Sequence, residues 1–81
     1  MKPGDLVRLR ALLHARVAVS WTPAWLYAAT GAIDVSRFDT GTPALLLQTD
    51  DVEFRDGKRS VSSILIGGRM GWVWPRELEP L

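Results

Sequence analysis

The chain has 81 residues, ten basic and nine acidic, with a formal charge of +1 and no cysteine. That length allows one domain with a small core, and the balanced charge lacks the basic excess that marks strong phosphate-backbone binders. The missing thiols exclude disulfides, thiolate metal sites and thiol catalysis, and the single histidine, His14, cannot alone build a multi-histidine zinc site.

Lys2-Pro3-Gly4-Asp5 is a turn-like entry. Leu6 to Arg10 then alternates, with Val7 and Leu9 on one face and Arg8 and Arg10 on the other, which predicts a half-buried strand. A helical reading competes where Ala11-Leu12-Leu13 follow. Val17-Ala18-Val19 fits a short extended piece. From Thr22 to Gly31 the signals turn helical: Thr22 can cap, Pro23 suits the first helical position, and Gly31 suits the stop. Two turns of helix need a surface to pack on. Val17 to Ile33 is uncharged but too short to span a bilayer, and Pro23 and Gly31 interrupt it. No secretory signal pattern precedes it.

Asp34 to Pro43 is polar and rich in turn formers, which predicts a loop. Ala44 to Gln48 is an apolar run bounded by turn signals, hence a buried strand. Asp56-Gly57 predicts a two-residue hairpin turn. That register sets Val52 against Val61, Glu53 against Ser60 and Phe54 against Arg59, whose stem can lie over the ring. Ser62 to Ile66 continues the second strand, and Gly67-Gly68-Arg69 turns the chain. Gly71 to Trp74 forms the next strand, with Trp72 and Trp74 on one face. A single 3₁₀ turn over Pro75 to Leu78 leads into the last strand-like residues. Short strands joined by tight turns describe an all-β roll or barrel.

Ile64 to Glu79 resembles the closing half of SH3-like barrels: a strand, a glycine turn, a G-W-V strand, a proline-led 3₁₀ turn and a short last strand. Lys2-Pro3-Gly4-Asp5-Leu6-Val7 is similar to the K-x-G-D-x-V opening of small SH3-like and KOW-like barrels. The resemblance implies one domain over residues 1–81, a five-stranded barrel with a short helix (22–31) between its first two long strands. The A-L-Y-D-Y segment of proline-binding SH3 domains is absent and Leu78 stands where their groove tyrosine would fall, so that activity is not implied. The layout also resembles small barrels encoded among structural genes of tailed bacteriophages, which implies a virion or assembly role in head decoration, neck or tail.

Four tryptophans suit an interface, because tryptophan is enriched in binding hot spots. Trp21, Trp25, Leu26 and Tyr27 are the candidate protein interface, and the competing reading is a helix that plugs one end of the barrel. Arg55, Lys58 and Arg59 at the hairpin are candidate phosphate contacts, or a solvated tip. Asp50-Asp51 fits a turn better than a cation site. His14 with Asp5, Asp34 or Ser20 has no catalytic spacing. The expectation is a non-enzymatic binding module with no cofactor or metal. Its partners would be other proteins in a larger assembly or homo-oligomer, without a membrane, in a virion or the cytoplasm of the producing cell. The alternative is a nucleic-acid- or ribosome-associated barrel using Arg8, Arg10, Arg55, Lys58 and Arg59.

Overall fold

The structure is a computed structural model that describes residues 1–12 and 15–81. Among them the strands are β1 (Leu6–Leu9), β2 (Arg16–Ser20), β3 (Val35–Asp39), β4 (Pro43–Phe54), β5 (Gly57–Ile66), β6 (Arg69–Val73) and β7 (Leu78–Pro80). Helix α1 (Ala24–Thr30) lies between β2 and β3, and a 3₁₀ turn (Pro75–Glu77) between β6 and β7. All strands pair antiparallel in one sheet of order β3-β2-β6-β5-β4-β1-β7.

The fold is therefore all-β, as expected, but the five-stranded barrel is corrected to an open seven-stranded sheet with β3 and β7 at its edges. The two extra strands come from the segment expected to hold only a short extended piece, a helix and a loop. Val17 and Val19 alternate with exposed residues, and Phe38 supplies an apolar partner directly across from Val17. A half-buried pattern needs only a few such residues to pair as a hairpin. That hairpin joins the rest of the sheet through Ser20 opposite Trp72.

One face of the sheet curls around the core. Val7, Leu9, Val17, Val19, Ala44, Leu46, Ile64, Ile66, Val73 and Leu78 pack together there, with Ala11, Trp21 and Phe38 against them. The β1–β4 ladder runs on into the turn before β4: the Leu9 N–H donates to Thr42 O (2.9 Å) and the Gly41 N–H to Leu9 O (2.7 Å).

β4 changes its facing midway. Leu46 opposes Ile64 but Gln48 opposes Ser63, so Leu47 is an extra, bulged residue. Before the bulge Ala44 and Leu46 point inward. Beyond it Thr49 points inward, sharing a hydrogen bond with the buried Ser62 (2.8 Å). The even-numbered residues through Phe54 therefore turn to the outer face.

The hairpin register differs from expectation. Phe54 opposes Gly57, Glu53 opposes Lys58, and Val52 opposes Arg59. A turn centred on Asp56-Gly57 would place a positive φ on Asp56 as well, and among the described residues none but glycine has one. The turn instead falls on Arg55-Asp56, and Gly57 takes φ 121° as β5 begins. Each strand moves by one residue in opposite senses, so faces are kept. Arg59 still reaches the Phe54 ring diagonally, at 5.8 Å.

α1 starts one residue later than its sequence signals suggest. Pro23 occupies the cap position with no side-chain cap bond, and the Thr22 hydroxyl instead accepts from the Asp34 N–H (3.0 Å). Gly31 ends the helix at φ 73°, donating to Tyr27 O (2.7 Å).

Candidate functional site

The outer face of the sheet carries two adjoining features. The first is a row of apolar side chains that crosses four strands. Leu6 pairs with Leu45, Leu45 with Leu65, and Leu65 with Met70. Cross-strand partners share a face, so these four lie side by side. Leu6 is 61% exposed, Leu65 41% and Met70 46%, with Leu45 partly so. Arg8 and Glu79, one row away, pair with each other at 2.9 Å.

The second feature is a half-open cleft of about 180 Å³ under α1. Trp72, which follows Met70 on the same face of β6, forms part of its wall and links it to the row. Tyr27, Phe54, Trp72 and Trp74 supply aromatic rings, and Ala24, Ile33, Val35 and Val61 supply aliphatic surface. The Leu47 bulge is what delivers Phe54 here. Its ring lies 6.1 Å from that of Tyr27 and 5.9 Å from that of Trp74. Serines flank Trp72 on both neighbouring strands, Ser20 and Ser63, and leave its ring room. Small-molecule pockets usually span ~300–1,000 Å³, so this cleft suits a single side chain better than a whole ligand.

Glu77, from the 3₁₀ turn, is the one charged residue lining the cleft. Its Oε1 accepts from the Trp74 N–H at 3.2 Å. Burial pushes its carboxyl above the ordinary value, while the Trp74 hydrogen bond and the Arg76 charge pull the other way. The folded state thus holds this proton more tightly than the unfolded chain. The stabilising contribution is present at low pH and is lost as pH rises from the ordinary carboxylate value through the raised one. Glu77→Gln is expected to flatten that part of the profile, which urea midpoints measured between about pH 4 and 7 would check.

The expected interface residues separate into different environments. Trp21 packs against the core, edge-on to Phe38 at 6.0 Å, with its Nε1–H donating to Ser36 Oγ (2.9 Å) and the Arg69 guanidinium 4.3 Å over its ring. Tyr27 faces the cleft and Leu26 is partly buried. Of the four, only Trp25 is broadly exposed, at 66%. Trp25→Ala should therefore change unfolding free energy by less than about 0.5 kcal/mol, and Trp21→Ala should lower it by about 1–2 kcal/mol. Paired urea titrations would show the difference.

The three hairpin cations do not all converge. Arg59 forms an ion pair with Asp56 and lies over both Phe54 and Trp74. Arg55 lines the same depression as Arg59. Lys58 sits directly across from Glu53 and so points to the other face. Elsewhere Arg16 pairs with Asp39, and Arg10 donates to Arg76 O. His14 lies outside the described residues. Among those described, no cluster of three or more acidic or histidine residues is placed to hold a metal. No helix among them is long and apolar enough to cross a membrane.

The apolar row escaped the sequence reading because its members come from four separate strands. Leu45 sits within a run that reads as a buried strand, and Leu65 within one that reads only as the continuation of the hairpin's second strand. No protein-family model matches the chain, and neither the curated proteins nor the solved structures searched contain a match.

Proposed function

We propose that this protein is a non-enzymatic protein-binding and assembly module that associates with further copies of itself through the outer face of its sheet. The Leu6–Leu45–Leu65–Met70 row carries this reading. Contiguous exposed apolar surface of this kind marks interaction sites, and a chain this small gains stability from oligomerisation. The row contains no charge, and the charged residues Arg8 and Glu79 beside it neutralise each other. Such a surface suits its own like in a two-fold contact.

The order of β5, the Gly67-Gly68 turn, β6, the 3₁₀ turn and β7 supports the SH3-like relationship as part of the same proposal. The opening and closing motifs extend it to a virion component of a tailed bacteriophage, in head decoration, neck or tail. Pairing of Arg8, Arg16 and Arg59 with carboxylates favours the protein-binding reading over a nucleic-acid one, because cations so engaged release fewer phosphate counterions.

Sedimentation equilibrium tests the proposal. The wild-type protein is expected to associate at micromolar to millimolar concentration, and Leu65→Lys to weaken that association at least tenfold while keeping the circular-dichroism spectrum. A wild-type protein that stays monomeric throughout, or a variant that associates equally well, would contradict it.

A further inference from the structure

We propose that the cleft beneath α1 receives a basic side chain, lysine or arginine, from a partner protein, its cation held between the aromatic walls and the Glu77 carboxylate. This is a second site, distinct from the apolar row. It depends on the protein-binding reading only in assigning the cation to a protein.

Three observations lead there. Tyr27, Phe54, Trp72 and Trp74 all line one small cleft, and aromatic faces attract cations through their quadrupole, most strongly where water is displaced. Second, Glu77 is the sole charge among the lining residues and it is negative. Its described side-chain hydrogen bond uses Oε1 on the Trp74 N–H, so Oε2 has no hydrogen-bond partner among the described residues. Third, the same cluster already takes a guanidinium from the neighbouring depression, where Arg59 lies 5.8 Å from the Phe54 centroid and 6.0 Å from that of Trp74. Arg59 does not line the aromatic cleft, which therefore remains open to an outside cation.

The volume selects the size of occupant. About 180 Å³ holds the head and part of the stem of one long side chain and falls short of a typical small-molecule site. Ala24, Ile33 and Val61 offer apolar surface for the methylene stem, as long cationic side chains prefer. The cleft also raises the cost of the Glu77 charge, and a seated cation offsets that cost.

Titration of the ¹⁵N-labelled protein with Nα-acetyl-lysine N-methylamide, its arginine counterpart and its norleucine counterpart tests this. The lysine or arginine probe is expected to shift the indole N–H signals of Trp72 and Trp74 saturably at millimolar concentration, leaving that of Trp25 in place. Norleucine, which has a comparable stem and no charge, should bind at least tenfold more weakly. Glu77→Gln should weaken the cationic probes about fivefold or more and leave norleucine unchanged. Norleucine binding as well as lysine, or cationic probes that leave Trp72 and Trp74 unmoved, would overturn the proposal. Because Leu65→Lys reads the apolar row separately, an oligomer with an unresponsive cleft overturns this proposal alone, and a monomer whose cleft takes the cation overturns only the self-association.

Discussion

Ile64→Ala is expected to lower the unfolding free energy by about 3–4 kcal/mol, the range for deleting a large aliphatic side chain from a packed core. Ile64 is fully buried two residues before the end of β5, with β4 and β6 paired on either side. The core cluster it belongs to draws on β1, β2, β4, β6 and β7 as well as β5, so the cavity cannot close by moving one strand. A chain of this length has only ~4–12 kcal/mol of stability in total. The variant should show a clearly lower urea midpoint with an unchanged m-value. A loss under about 1 kcal/mol would mean that the core is not packed as described.

Gly71→Ala is expected to cost about 2–3 kcal/mol, for the opposite reason. A β-carbon there would overlap Val19 Cγ1 and would come within 3.2 Å of the Trp21 ring and 3.3 Å of Ser20 O. Val19 is buried and stiff at χ1, and Ser20 O is backbone, so neither yields easily. The added methyl overpacks the contact between β2 and β6. Val19→Ala removes the overlapping atom. The double variant should thus be more stable than the sum of the two single losses predicts, by about 1 kcal/mol. Strict additivity would show that the two residues do not meet.

These two positions also show what the sequence could reveal. The inward set was legible where alternation was regular, at Val7 and Leu9 in β1. In β6 the shared face of Trp72 and Trp74 was legible but its direction was not: their size favours the core or the barrel edge, yet Val73 is the buried residue. The 3₁₀ turn after Trp74 and the glycine stop of α1 followed from proline and glycine chemistry. What stayed hidden depends on contacts distant in sequence. Nothing local to Val35–Asp39 announces a strand, which exists because β2 offers it a partner. Nothing in the run Leu45-Leu46-Leu47 shows which leucine bulges, yet that bulge decides whether Phe54 joins the core or the aromatic cleft. The apolar row is a property of register, and register is set by pairs far apart in sequence.

The site was partly legible for the same reason. Tryptophan density pointed to binding on the helix-bearing insertion, where Trp25 is exposed to solvent and Tyr27 lines the cleft. Trp21, expected as part of an exposed apolar anchor, packs instead against Phe38 under the Arg69 guanidinium. Trp72 and Trp74 gave the better signal, sharing a face at the end of a strand. Glu77 carried no sequence signal beyond its place after Pro75.

The most direct measurement of the central claim is photo-cross-linking through Met70, replaced by its diazirine analogue during expression and followed by mass-spectrometric mapping. The outer-face interface predicts a covalent dimer whose links from Met70 land on peptides containing Leu6, Leu45 or Leu65 of the second copy. Links from Met70 confined to its own chain, or dimers joined only through α1 or the Arg55–Asp56 turn, would contradict it.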